Sequence, residues 1–570
     1  MGMLAVSLSF LSVYGAAPTA SDIVMRACTA GAGEPYSQIH RIFPAWPEKI
    51  EPALKANPGA FKDGIILAAF PKELERGPDF VKEFENQKAF CRRMQELGVK
   101  VQFAMSSTIG HADDYTAANG RPVIVRSDGK PTKAMSCPRS KELKAHVASL
   151  FARYAALHPE VIWWDDDFRM ASHAPADYAC FCGHCMEAFN AFAGTSYDRV
   201  SLLKDVVADA EVKGRKLRQI WREFNRQALT ELVKISAEAA HSVDPDVGIG
   251  FMVISLEQCG MLYATPDFQK WNELARNRAG KVWYRHGCGA YVDWKPEDIF
   301  FKNLEIARLC ALSEDPGVVN WTEGVIVPFN RRAKSMRMTF LEAALNVGLA
   351  GAHGDTYDAS KGNLDEQLKD TSIIPVMGRR RVELDFMRSL IADKHQLGLL
   401  VPALPDGVYP EGPIRRFGDL YQPGDLGWRR LIYIGVPLTF RPKHAACELP
   451  KGINLGELDY AHCERLKDDL DLRCGGRMPS RVNSILRLGQ SVWESPDGSE
   501  RIVFVWNFDY DDATDVKLIE NGTFSAEELI VPVKSNGETG PFAWRPLGRG
   551  DTFAVPHVPA FSVKTVRLRR

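Results

Sequence analysis

The chain has 570 residues, too many for one small domain, and its 71 basic and 72 acidic side chains leave a net charge of −1. So even a balance excludes a global field that would gather nucleic acid or an anionic membrane surface. Its 12 cysteines are too few for a disulfide scaffold, and beyond the N-terminus no apolar run reaches membrane-spanning length.

The opening stretch, MGMLAVSLSFLSVYGAAPTA, looks like a signal peptide but lacks the positive start, since the first basic residue is Arg26. Leu4–Phe10 alternates apolar with small or polar residues and is read as a first strand. A cytoplasmic location is expected on that reading, with the periplasm the alternative if the segment is a signal. From there short apolar runs alternate with amphipathic stretches, the pattern of parallel βα units. The predicted strands are Leu4–Phe10, Ser37–Phe43, Val101–Met105, Val161–Asp165, Val247–Val253, Lys281–His286, Gly317–Trp321 and Gly348–Asp355. Gly64–Phe70 is a ninth run, which leaves the numbering near the start open. Helical spacing is clear over Ser140–Leu157 and Leu217–His241.

Eight such strands predict an α/β chain with a (β/α)8 TIM barrel over residues 1–384. Residues 385–485 read as a small, shortened α/β unit of flavodoxin-like type, and 486–570 as a C-terminal antiparallel β domain of sandwich-like character. In that last region, Asp497-Gly498 and Asn521-Gly522 are the expected turns. No glycine-rich phosphate loop follows a strand, so no organic cofactor is expected. The 12 tryptophans suit either sugar stacking or the core.

Two constellations carry chemistry. Cys180, Cys182 and Cys185 form C-x-C-x-x-C just past the fourth predicted strand. Three thiolates so close match tetrahedral zinc, with Cys137 as the leading fourth ligand and His184 as the runner-up. Four protein ligands leave no place for water, so the expected zinc is structural. The second constellation is a pair of strand-end carboxylates. Trp164-Asp165-Asp166-Asp167-Phe168-Arg169 and Asn320-Trp321-Thr322-Glu323-Gly324 end two strands, where barrel enzymes place their chemistry. Strand alternation would let Asp165 and Asp167 share a face. Two carboxyl groups across a barrel mouth are what glycoside cleavage needs, one as acid/base and one as nucleophile. Glu314 competes with Glu323 for the second role.

The stretch SCPRSKELKAHVASLFARYAALHPEVIWWDDDF followed by CFCGHCMEAFNAF resembles the family 42 β-galactosidases over roughly residues 1–380. The resemblance implies zinc on Cys137, Cys180, Cys182 and Cys185, and it puts the acid/base on Asp167 and the preceding family Asn on Asp166. An Asp in that role is instead similar to the family 164 β-mannosidases. The segment PFNRRAKSMRM followed by GLAGAHGDTYD also resembles that family, whose nucleophile falls on Glu323. The run PGVVNW, aligned with family 42, puts the nucleophile on Ser313, one place from Glu314. Glu323 is preferred because it follows its strand. The implied reaction is retaining, exo-acting hydrolysis of a terminal β-galactoside or β-mannoside, with a glycoside or oligosaccharide as the partner molecule. The middle unit resembles the family 42 trimerisation domain and implies a homo-oligomer, a trimer.

Asp165, Asp166, Arg41, His111, Arg169, Tyr284, His286, His353 and Asp355, near predicted strand ends, are the candidate sugar-binding groups. Two other readings stand: a metal-dependent hydrolase using Asp165 and Asp167 with His286 or His353, and a non-catalytic carbohydrate-binding barrel.

Overall fold

A computed structural model describes residues 22–27, 51–52, 54–56, 63–69, 78–105, 108–110, 120–166, 168–170, 176, 178–208, 212–254, 266–287, 296–325, 336–358, 373–401, 431–432, 434–449, 460–534 and 538–570. Eight parallel strands close into a barrel in which each pairs with its neighbours in chain order. They are β1 (Asp22–Ala27), β2 (Ile65–Ala69), β3 (Val101–Met105), β4 (Val161–Trp164), β5 (Gly248–Ile254), β6 (Val282–Gly287), β7 (Val318–Val325) and β8 (Gly354–Asp358). The barrel expected from the alternation is therefore present.

Its first two strands are not those expected. β1 is Asp22–Ala27 and β2 is the ninth run, IILAA, while Leu4–Phe10 and Ser37–Phe43 lie outside the described residues. The physical reason concerns which faces are wet. A barrel strand is covered by side chains inside and helices outside, so it can read as a nearly continuous apolar run, as β2 does, whereas β1, DIVMRA, carries Asp22 and Arg26 and has no such run to mark it. Strict alternation, the feature that favoured Leu4–Phe10, belongs to a strand with one solvated face. β7 also runs further than expected, so Glu323 sits on the strand rather than after it.

The interior is packed with Ile66, Ala104, Val161, Trp163, Met252, Trp283 and Trp321. Two glycines of β5 make room for these indoles. A Cβ at Gly250 would stand 2.3 Å from Trp163, and one at Gly248 would stand 2.4 Å from Trp283. Trp163, Trp164, Trp221, Trp271, Trp321 and Trp506 are fully buried, so these six are core rather than stacking surfaces for sugars.

Helices cover the outside. Among them are α1 (Pro78–Glu96), α2 (Lys141–Ala155), α3 (Gly183–Ala193), α4 (Arg199–Leu203), α5 (Val212–Val243) and α6 (Phe268–Ala275). They are followed by α7 (Pro296–Ser313), α8 (Met336–Gly348) and α9 (Ile373–Ile391). The side chain of Ser140 caps α2 by accepting from Leu143 N at 3.1 Å, and Leu143, Val147, Leu150, Phe151 and Tyr154 turn inward at helical spacing. No described helix is long and apolar enough to cross a membrane.

Past α9, Leu399–Leu400, Leu438–Thr439 and Cys447–Glu448 form a small parallel sheet. A disulfide joins Cys447 to Cys474, just beyond α10 (Tyr460–Arg473). The C-terminal region is an antiparallel sheet, as the turn-punctuated runs suggested. It docks on the amino-terminal end of the barrel: Ser491 Oγ and Trp493 Nε1 donate to Gly348 O at 2.7 and 2.6 Å. Asn521-Gly522 is not a turn. It lies inside the long strand Val516–Ile530, at a register shift between Ile519 and Phe524 where Gly522 takes φ +120°.

Candidate active site

The carboxyl ends of the strands converge at the mouth of the barrel, and alternation decides which side chains reach it. On β6, Trp283 belongs to the interior cluster, so Arg285 and Gly287 share its face while Tyr284 and His286 point outward. On β7, Trp321 is interior, so Glu323 is too, and Thr322 faces the helices. The two inward sets meet. Arg285 Nη1 donates to Glu323 Oε1 at 2.5 Å, and both side chains are almost out of solvent, at 2% and 12% exposure. Gly287 makes the seat, for a Cβ there would stand 2.5 Å from Glu323 Oε2. An ion pair this buried is short, directional and little screened.

Across the barrel, β4 delivers the acid run. Asp165 is buried and Asp166 half-buried, and Arg169 is buried beyond them. Phe168 N donates to Asp165 O at 3.0 Å, so the chain turns here and strand alternation stops at Trp164. The expectation that Asp165 and Asp167 share a strand face therefore has no strand beneath it. Asp167, Arg41 and His111 lie outside the described residues. Glu314 is at the other end of the barrel. It precedes β7, is exposed, and pairs with Arg441 Nε at 2.8 Å.

Four of the candidate sugar-binding residues are in the barrel wall, not its mouth. Tyr284 OH donates to Asn272 Oδ1 of α6 at 2.8 Å, and its ring stacks on His286. His286 Nε2 lies 2.9 Å from Asn320 Oδ1, and burial lowers the imidazole pKa to about 4. His353 precedes β8 at the amino-terminal end, where its Nδ1 accepts from Asn320 N at 3.1 Å; burial holds it neutral as well. Asp355 faces α8, accepting from Thr322 Oγ1 and Asn346 Nδ2. Nearness to a strand end suggested these residues, but alternation sends every second side chain to the helix layer. The hydrolase reading loses His286 as a metal ligand because it faces the helix layer, and His353 because it lies before β8, at the amino-terminal end.

Arg285 is the residue that sequence reasoning missed. The signal was in VWYRHG: all six residues of this strand are buried, and alternation puts Tyr284 and Arg285 on opposite sides of it.

Asp355 makes a pH prediction. Burial is the main force that raises its pKa from 3.8 to about 7, against the two hydrogen bonds that lower it. An acid whose folded pKa exceeds its unfolded one opposes folding once it must ionise. That cost is absent below about pH 4, grows up to about pH 7 and is full above. Asp355→Asn removes the charge and keeps an oxygen acceptor. It is expected to leave the melting temperature near that of the parent at pH 4 and to raise it at pH 8, by at most about 4 kcal/mol of stability. Melting curves of both proteins across this range check it; an offset independent of pH would rule the account out.

The cysteine quartet is assembled as expected. The sulfurs of Cys137, Cys180, Cys182 and Cys185 all lie within 4.8 Å of one another, and Cys137 Sγ is 3.8, 4.0 and 3.5 Å from the other three. A tetrahedral zinc with sulfurs at about 2.3 Å holds them about 3.8 Å apart, so this donor set fits the ion. His184 is exposed and outside the group. The Arg139 guanidinium lies beside these thiols, stacked 3.6 Å from the Phe224 ring.

No family model and no curated protein matches the sequence. Solved structures do match. The β-galactosidase of Rahnella sp. R3, described as cold-adapted, is 11% identical with a TM-score of 0.54, over 97% of this chain and 100% of that one. A catalytic mutant of Gan42B, a GH42 β-galactosidase from G. stearothermophilus, is 12% identical with a TM-score of 0.59, over 97% and 99%. The α-L-fucosidase isoenzyme 2 of Paenibacillus thiaminolyticus is 10% identical with a TM-score of 0.55, over 96% and 99%.

The chain has the fold of these glycosidases. The likeness runs over the barrel, the middle unit and the C-terminal sheet together. At these identities it establishes architecture, and the site has to be argued from its own side chains.

Proposed function

We propose that this protein is a retaining, exo-acting β-glycosidase that hydrolyses terminal β-galactosides or β-mannosides. One observation carries the reading: Glu323 projects from the carboxyl end of β7 into the barrel, seated on Arg285 and opposite the acid run that ends β4. The buried Arg285 guanidinium donates to one carboxylate oxygen and so fixes the group that would act as nucleophile. In the proposed reaction Glu323 attacks the anomeric carbon while Asp167 donates a proton to the leaving oxygen. Asp167 then takes a proton from the water that releases the sugar.

Zinc is proposed on the four cysteines, where a closed tetrahedral shell ties the start of α2 to the start of α3 beside the β4 end. The ion would supply cross-linking, not chemistry. The Cys447–Cys474 disulfide supports the periplasmic alternative over the cytoplasm, where thiols are kept reduced.

Screening nitrophenyl β-galactoside, β-mannoside and β-glucoside tests the function. Turnover of the galactoside or the mannoside is expected, with the first-formed sugar keeping its β configuration. An α-configured product would refute retention, and binding of a sugar without turnover of any substrate would favour the carbohydrate-binding barrel.

A further inference from the structure

A lysine in the layer between barrel and helices is costly unless it is paired, and hydrophobic packing would serve the fold as well. Lys302 of α7 is such a residue. Its side chain is 1% exposed and pairs with Glu342 of α8, 2% exposed, at 2.6 Å. The same ammonium donates to the main-chain oxygen of Glu323 at 2.5 Å. The carbonyl and the side chain of Glu323 leave one Cα, and the pairing of β7 with β8 sets the torsion between them, so a carbonyl held from the helix layer bears on the direction of the Cα–Cβ bond. Arg285 holds the other end of the side chain at Oε1. Glu323 is thus held from the helix layer through its backbone and from β6 through its carboxylate.

We propose that Lys302, oriented by Glu342, is a positioning residue for Glu323: it sets the aim of the carboxylate from behind the strand. The proposal rests on Glu323 being the nucleophile of the glycosidase reading. It accounts for a buried charge pair placed at this one turn of α7 and α8, and it links the helix layer to the mouth of the barrel. Reactions between held groups are sensitive to small displacements, so a loss of aim acts on kcat more than on KM.

Removing Lys302 alone strands Glu342 in the core, so Lys302→Met is expected to fold poorly and is not by itself decisive. The double variant Lys302→Met/Glu342→Leu removes both charges and refills the space. Its melting temperature is expected to return close to that of the parent. Its kcat on the nitrophenyl substrate is expected to stay down by about tenfold or more, with KM changed by less than about threefold. A crystal structure of the double variant reads the position without any substrate, and the Glu323 carboxylate is expected to have left Arg285. A folded double variant with parental kcat overturns the proposal, as does one whose Glu323 remains seated on Arg285. If the parent protein turns over no glycoside, the glycosidase reading fails on its own, and the crystal structure still decides whether Lys302 positions Glu323.

Discussion

Glu323→Gln is expected to reduce turnover by on the order of a thousandfold or more, because the amide keeps the shape and loses the nucleophile. Azide will not rescue it, since the amide still fills the space. Glu323→Ala or Glu323→Gly opens that space, and azide is expected to restore activity in part as the α-glycosyl azide. Asp167→Ala should spare the first step for substrates with good leaving groups, which need no proton. It should then stall at release of the sugar, where azide yields the β-glycosyl azide. The reasoning is geometric: azide enters from whichever face of the sugar the missing carboxylate vacated. Glu314→Ala serves as the control, for Glu314 is exposed and bound to Arg441 at the far end of β7. An α azide from Glu314→Ala, with none from Glu323→Ala, would transfer the nucleophile to the wrong end of the barrel and sink the proposed site.

The second large effect concerns the cysteines. Protein purified without chelator is expected to carry one zinc per chain, and Cys182→Ser to lose it. Zinc bound by such a set is worth on the order of 10 kcal/mol in isolated fingers, and part of that is linked to folding here. The melting temperature of Cys182→Ser should therefore fall by several degrees or more. The anomer of the azide product from Glu323→Ala should be the same with and without the cysteine substitution. Elemental analysis of the parent protein checks the first point, and a metal-free but fully stable parent would end the zinc proposal.

Local chemistry explains why both proposals start from residues alone. C-x-C-x-x-C places three soft ligands within a few residues, so no fold is needed to bring them together. Only Cys137 required the tertiary structure, which carries it from the start of α2 to within 4.0 Å of the other sulfurs. Glu323 was preferred because it followed its predicted strand, whereas the structure places it on β7, two residues beyond the buried Trp321 and on the same face. The same logic, applied to β6, would have picked Arg285 and set aside Tyr284 and His286. Closeness to a strand end was a weaker guide than position within the alternation.

The barrel itself followed from the repeated alternation of apolar runs with amphipathic helices, a pattern set by burial on both faces of each strand. The first two strands were misjudged: Asp22–Ala27 stands where Leu4–Phe10 was expected, and the ninth run, Ile65–Ala69, where Ser37–Phe43 was. Asn521-Gly522 shows the same limit on a local scale. The dipeptide favours a turn, but pairing with Ala543–Val555 on both sides of it keeps the strand going through a bulge.

By itself, then, the sequence determined the kinds of element, the three cysteines gathered within one loop, and the acids at the ends of β4 and β7. These are short-range properties, written in the order of neighbouring side chains. Only the tertiary structure decided that Arg285 meets Glu323, that Lys302 reaches the Glu323 carbonyl, and that His286, His353 and Asp355 belong to the wall. Each of those contacts joins residues from separate strands or helices. Their meeting depends on how eight strands close and which face each one turns to the axis, and no run of adjacent residues carries that information.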